Sequence, residues 1–554
     1  MRVRPEVDLP ARAARESTGG RGRGRRAGVT RAEGWTLFAA ILASGIVFLD
    51  STVVNVALPR IGRELPSSVF GVLEGQSYVY IAYLLTLSAL LVLAGALNDF
   101  FGRRRMFAFG LAGFLVTSLL CGVAPSMELL IAFRVLQGAA GALLVPGSLA
   151  LLTATFTGEA QGRAFGLWAG ASAATTILGP VIGGALVDTL SWRVAFLMNV
   201  PLCLVALWMT VTYIRESRDE SATGSFDWLG AAVVALAVGG LSFGTIYSQQ
   251  REWRDPFGFA TLAIGLVATV ALPFLMTMRR DPLIPPSLFR SRNFSVTNIS
   301  TFLIYGALYV IGYFLTLFVQ STIGYTAAAA GLTSLPSGLF LMFLSSRFGA
   351  LAAHFGPRRF MAIGPALMFL AVLWYARIPA TTEAWRFAFG DPSTYVPPTS
   401  YLIDLLPASL VYGIGLSIMV APLTTALMTS VPVHNAGVAS AVNNAISRVG
   451  PQLASALIFV AITASFYAGL HDRVPSLDVS DADVRRTISP LNVVRAPSSL
   501  PPETAGLIQA EREASTEAFH LAMLVAAALL AAGAVTNAVG IVDDVAKKPA
   551  TERR

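Results

Sequence analysis

Apolar residues are gathered into about fourteen blocks of roughly 19 to 32 residues, separated by polar stretches. Roughly 20 helical residues cross a hydrocarbon layer about 30 Å thick, so each block predicts a membrane-spanning helix. The first runs from Trp35 to Leu58. Later ones cover 73–97, 106–124, 127–152, 163–187, 193–214, 228–248, 257–277, 294–321, 327–352, 360–378, 402–430, 437–468 and 517–541. The first block is too long for the apolar stretch of a secretory signal and has no small-residue cleavage site, which predicts a retained helix. The expected fold class is an all-α membrane protein with 14 transmembrane helices.

An internal repeat organises them. "GALNDFFGRRR" (Gly95 to Arg105) follows the second block and "GALAAHFGPRR" (Gly349 to Arg359) follows the tenth; they agree at seven of eleven positions, 254 residues apart. Eight spans lie within that separation, so the pattern predicts two pseudo-symmetric six-helix bundles with two additional helices between them. The expected division is a disordered basic tail at 1–35, a first bundle at 36–214, two extra helices at 228–277, a second bundle at 294–541 carrying an outer loop at 469–516, and a tail at 542–554. A parallel repeat of helical halves is the signature of a secondary transporter.

Composition narrows the reading. Of 554 residues 55% are apolar and 13% charged, where soluble domains hold about 25% charged residues; a conventional globular enzyme is excluded. The 40 basic residues, against 32 acidic ones, do not gather on one soluble face, which argues against nucleic acid as a partner. They fall in alternate loops, at Arg103 to Arg105, Arg163, Arg215, Arg218, Arg279, Arg280, Arg290, Arg292, Arg358 and Arg359. The positive-inside rule then predicts both termini in the cytoplasm. Cys121 and Cys203 sit inside apolar blocks as packing residues, and the four histidines are scattered singly, so no metal site is expected. No phosphate-binding loop and no catalytic constellation occur.

Several stretches carry a resemblance. "LDSTVVNVALP" (Leu49 to Pro59), "GALNDFFGRRR", "RVLQGAAGALLVP" (Arg134 to Pro146) and "GPVIGG" (Gly179 to Gly184), with "SWRVAFLMNVP", "FDWLG" and "PLIPPSLFRSRNF", stand in family order. Together they resemble the fourteen-helix drug:proton antiporter branch of the major facilitator superfamily, which includes multidrug exporters, over about residues 36–541. The resemblance implies a transporter rather than an enzyme, located in the cytoplasmic membrane. Its partners would be small hydrophobic substrates, protons and the lipid bilayer. It would act as a monomer without cofactors, driven by a proton gradient.

The resemblance implies that Gly95, Asp99, Gly102, Arg103 and Arg104 form a conformational latch, with Asp99 pairing with an arginine and a helix end of the other half. Ala353 and Pro357 replace Asp99 and Arg103 in the second copy, so an unequal gate is expected. The family assigns Arg134 to proton coupling. A guanidinium holds its proton near neutral pH and acts electrostatically on a carboxyl, and Asp50, the only acidic residue deep in the first span, is the carboxyl this logic selects. Backbone hydrogen bonding by Arg134 and helix capping by Asp50 with Asn55 stay open as structural roles.

Gly166 and Gly170 are spaced for close helix approach, and Gly179, Pro180, Gly183 and Gly184 follow on the same helix. In the family this seam seals the cavity against proton leak; Thr175 stands where a glycine is usual. Asn55, Gln137, Asn443, Asn444 and Arg448 are polar groups within apolar spans and candidates for a cavity wall. Tyr78, Tyr83, Trp168, Tyr305, Tyr309, Phe314, Met419 and Met428 either line a pocket or pack. Function is expected to be proton-coupled export of hydrophobic drugs or toxic compounds. Export of one endogenous metabolite, antibiotic, siderophore or lipid, and a non-transporting receptor or scaffold, are the alternatives.

Overall fold

The computed structural model describes residues 31–68, 72–218, 226–250, 253, 255–388, 390–479, 481, 488, 490–491 and 502–543. The tail calls at 1–30 and 544–554 and much of the expected outer loop lie outside these residues. Asn55, Pro180 and Gly184 are described through their backbone alone.

The described chain runs α1 (Arg31–Glu64), α2 (Val72–Phe101), α3 (Arg103–Gly122), α4 (Met127–Ala142), α5 (Leu144–Thr155), α6 (Gly158–Thr189), α7 (Val194–Leu197), α8 (Asn199–Tyr213), α9 (Trp228–Gln250), α10 (Pro256–Met278), α11 (Ser287–Arg290), α12 (Arg292–Leu317), α13 (Ala327–Phe355), α14 (Arg358–Tyr375), α15 (Leu406–Thr429), α16 (Ala436–Arg473) and α17 (Pro502–Gly540). No strand occurs among the described residues. Thirteen helical segments are long and apolar enough to cross a membrane. Adding α6, 32 residues long and packed between α1 and α13, makes fourteen. All backbone groups of such helices bond within the helix, which is what a hydrocarbon environment demands.

Three boundaries differ from the sequence expectation. The first helix begins at Arg31, so residues 31–35 are helical rather than part of a disordered tail. The fourth span is two helices: Leu143 N–H bonds to the Ala140 carbonyl at 3.2 Å, a tightened turn, and Pro146 follows in the first turn of α5, where its missing N–H costs nothing. The expected loop at 469–516 is helical at both ends, because α16 continues to Arg473 and α17 starts at Pro502. Ala510, Ala514 and Ala518 form a buried stripe on α17, and Arg473 pairs with Glu513 at 3.2 Å and with Glu517. A search for apolar windows stops where such helices become amphipathic.

One apolar core gathers residues of α1, α2, α3, α5, α6, α8 and α9 with the end of α15 and the first turns of α16, and a second gathers residues of α12 to α17. The two extra helices form a hairpin in which Gly240 lies on Gly265 and Gly244 on Leu262. Through α9 the hairpin leans on α2 and α16, while α10 turns most of its surface outward. Asp227 of the "FDWLG" stretch accepts from Gly230 N at 2.9 Å and Leu283 N at 3.1 Å, and it pairs with Arg279 at 3.2 Å. That one carboxylate caps α9 and fastens the return of the hairpin.

Candidate functional site

Asp50 sits halfway along α1 and Arg134 in the second turn of α4, and both are wholly buried. Arg134 Nη1 donates to Asp50 Oδ2 at 2.5 Å and to Gln137 Oε1 at 2.8 Å, while its Nε donates to the Val79 carbonyl at 3.2 Å. Gln137 Nε2 donates to Asp50 Oδ1 at 3.1 Å and to Ser118 Oγ at 2.9 Å, and Asn199 Nδ2 donates to the same carboxylate oxygen at 2.9 Å. The guanidinium lies 4.1 Å from the Tyr83 ring centroid and 5.7 Å from that of Phe196. Arg134 thus makes both a carboxylate pair and a backbone hydrogen bond. Asp50 makes no helix cap. Arg134 Nη2 is buried and has no hydrogen-bond partner among the described residues.

Asn199, Ser118 and Tyr83 belong to this network and were not singled out for it. Asn199 stands inside the quoted stretch "SWRVAFLMNVP", which was the available signal. Ser118 and Tyr83 carried none, since hydroxyls are common in helices and only folding brings them to the charge. Gln137, expected on a cavity wall, is instead an inner member of the network, bridging acid and base.

The cavity lies beside it. A space of about 550 Å³ lies between α1, α5 and α6 on one side and α12, α13, α15 and α16 on the other, within the range usual for small-molecule sites. Asn443, Asn444 and Arg448 line it as expected, and so do Trp168 and Tyr305. The Trp168 indole N–H is fixed by Ser44 Oγ at 2.9 Å and Ser148 Oγ at 3.1 Å. Asn443 donates to Asn298 Oδ1 at 3.1 Å and Thr301 Oγ1 at 2.8 Å, tying α16 to α12. Tyr83, Phe314, Met419 and Met428 are buried packing residues, and Tyr309 is half-exposed. The side chain of Asn55 lies outside the described residues.

Two seams close one end of this cavity. Gly95 of α2 meets the backbone of Gly437 on α16, and Gly162 of α6 meets that of Gly349 on α13; at all four positions a Cβ would enter the opposite helix. Gly95 and Gly349 are the first residues of the two repeat copies, so the seams are related by the internal repeat. Gly166 and Gly170 extend the second seam along Ser346 and Met342. Gly179 and Gly183 face Thr52 and Val53 of α1 instead. The glycines read as one seam thus serve two helix contacts; α6 presents one small face to the other half and another to its own.

Among the described residues, only the first seam carries a buried ion pair. Asp99 Oδ1 accepts from Arg103 Nε at 3.0 Å and Nη2 at 2.8 Å, Asp99 Oδ2 accepts from Val438 N at 2.9 Å, and Arg103 also donates to the Val433 carbonyl. A carboxylate at the open N–H groups of α16 is placed where the helix dipole favours it. At the second seam the corresponding neighbour of Gly162 is the Ala353 methyl, so the two seams differ in charge.

Behind each repeat loop stands a carboxylate absent from the expected set. Gly102 and Gly356 take φ of +106° and +87°, a region glycine occupies without penalty. A Cβ there would strike Glu216 and Asp543 respectively. Glu216 accepts from Arg104 N at 3.0 Å and Arg105 N at 3.2 Å, and Asp543 accepts from Arg358 N at 3.0 Å. Arg104 donates to the Val211 carbonyl and Arg358 to that of Ala538, both at 2.6 Å. Arg104 thus binds within its own half rather than across the latch. Each acid caps the third span of its half, and each arginine satisfies a carbonyl at the end of the sixth. Glu216→Ala and Asp543→Ala are each expected to cost about 0.5–2 kcal/mol, as for lost helix caps, measured as a lower unfolding midpoint in detergent. Unchanged midpoints in both would assign the contacts no structural weight.

Fourteen spanning helices in two related halves, with a cavity between them and paired seams at one end, define a multi-pass membrane transporter fold. The family profile described as Major Facilitator Superfamily matches residues 40–455, and the chain belongs to that superfamily. Puromycin resistance protein pur8 of Streptomyces alboniger is 34% identical over 447 residues, covering 79% of this chain and 83% of the relative. Multidrug export protein EmrB of Haemophilus influenzae is 30% identical over 423 residues, covering 76% and 78%. Among solved structures, the human organic anion transporter MFSD10 shares the fold with a TM-score of 0.53 at 14% identity, over 90% of this chain and 99% of its own.

Proposed function

We propose that the chain exports hydrophobic drugs or toxic compounds across the cytoplasmic membrane in exchange for protons. The observation that carries this reading is the Asp50–Arg134 pair, fully buried within the spans and adjoining a cavity that the two glycine seams close at one end. Protonation of Asp50 removes the charge that Arg134, Gln137 and Asn199 are arranged to hold, so the network has two states of different charge. A ligand or proton shifts a conformational equilibrium only through such a difference. The names of the two relatives, one for resistance and one for export, support the direction of transport.

In this reading residues 36–214 and 294–541 rock as two bundles, with 228–277 riding on the first seam. Both termini and the arginine-bearing repeat loops face the cytoplasm, in keeping with the positive-inside pattern. The chain acts as a monomer, and the proton gradient is its only energy source. Sealed vesicles with an imposed pH gradient test it: a panel of fluorescent hydrophobic compounds is expected to move only while the gradient lasts. Full accumulation with every ion gradient collapsed would overturn it. The name of the puromycin resistance relative favours a second reading, export of a single antibiotic. That reading predicts transport of one compound and silence across the rest of the panel.

A further inference from the structure

We propose that the cavity selects amphipathic compounds bearing one negative charge, with Arg448 as the group that takes it; this rests on the reading of the chain as an exporter. Arg448 is the only charged residue among the described residues lining the cavity. The two wholly buried arginines, Arg134 and Arg103, are by contrast ion-paired, to Asp50 and Asp99. Arg448 makes no ion pair or hydrogen bond among the described residues, and its guanidinium nitrogens do not number among the sealed polar atoms, so they open on the cavity. Tyr80 and Tyr83 are the titratable groups within its electrostatic range. Asp50 is occupied by Arg134, Gln137 and Asn199.

An unpaired guanidinium in an apolar enclosure is expensive to hold, and a ligand carboxylate relieves that cost through a planar two-point hydrogen bond. A cationic ligand meets the opposite field. The wall is mostly apolar and aromatic, with Phe48, the fixed Trp168, Tyr305 and Leu341, and carries Asn443, Asn444 and Ser447 beside Arg448, which suits a flat hydrocarbon body with a polar end. The class is therefore weak organic acids with an aromatic body, bound as monoanions and small enough for about 550 Å³. Exchange of one such anion outward for one proton inward moves two positive charges inward, against one for a neutral compound.

Three probes with one fluorescent aromatic body separate the cases: a carboxylate, its methyl ester and a trimethylammonium analogue. Binding to the purified full chain is followed by fluorescence, and transport is followed in proteoliposomes under a pH gradient. Wild type is expected to bind the carboxylate at least about tenfold tighter than the ester, the worth of one charge-assisted contact. Arg448→Gln should erase that preference while keeping ester affinity, which also reports intact folding, and Arg448→Lys should keep part of it. Imposing a negative interior potential should speed carboxylate export more than ester export. Equal binding of all three probes by wild type, or a carboxylate preference that survives in Arg448→Gln, overturns the proposal. Charge-selective binding without transport of any probe would leave the site standing and overturn instead the reading of the chain as a broad exporter of hydrophobic compounds.

Discussion

Asp50→Asn is expected to abolish pH-driven transport in sealed vesicles, by roughly 100-fold or more. The substitution keeps the shape of the side chain and removes the charge, leaving Arg134 buried and uncompensated. Breaking a buried pair from one side costs about 3–5 kcal/mol, and each 1.4 kcal/mol is about tenfold in a rate or equilibrium. Loss of folding and loss of coupling are separable here. The double variant Asp50→Asn with Arg134→Gln takes away both charges, so its thermal stability should recover most of what the single variant loses, while pH-driven transport stays absent. If Asp50→Asn and Arg134→Ala each move substrate against a gradient as wild type does, the buried pair has no part in coupling and the chain is read wrongly.

The second large effect belongs to the first seam. Gly95→Leu places a branched side chain where the Gly437 carbonyl and the Ala441 methyl already lie, and helix backbones do not yield easily in a packed interior. The seam cannot close, so the cavity is expected to stay open at the end bearing the repeat loops. Ser447 lines the cavity, and the native Cys121 and Cys203 are buried. A Ser447→Cys reporter therefore reads access to membrane-impermeant thiol reagents with little background. Added from the repeat-loop side, the reagent should label it about tenfold faster with Gly95→Leu than without, the scale of a 1.4 kcal/mol shift in the closed state. Gly162→Leu should act alike at the second seam, and Asp99→Ala should act more weakly because it removes the latch and spares the backbone contact. Equal labelling rates in all backgrounds would deny the seams any gating role.

The same residues show how far the chain could be read before folding. Helix number and order were legible because hydrocarbon forces long apolar blocks, and the repeat was legible because both copies need a glycine at the seam and another at positive φ. Asp50 and Arg134 stood out because ionisable groups inside spans are rare and face a partner. Gln137 was misplaced because its spacing from Arg134 says which helix face it shares, and the position of that face relative to α1 is set by packing. Glu216 and Asp543 lay in polar tails resembling any solvated loop; their role depends on the sixth span ending beside the third, which one-dimensional pattern does not contain. Ser118 and Tyr83 were invisible for the same reason.

Glu216 with Arg104, and Asp543 with Arg358, bind the third and sixth spans of each half to one another, whereas the halves meet through the glycine seams, one carboxylate and the apolar first turns of α16. Under a stretching force, or in a harsh detergent, the molecule should come apart in two stages, the halves parting along the glycine lines before either loses its helices. A protein fractured in that order would refold by docking two finished pieces, and fragments cut near 219–225 or 279–286 and expressed together should reassemble.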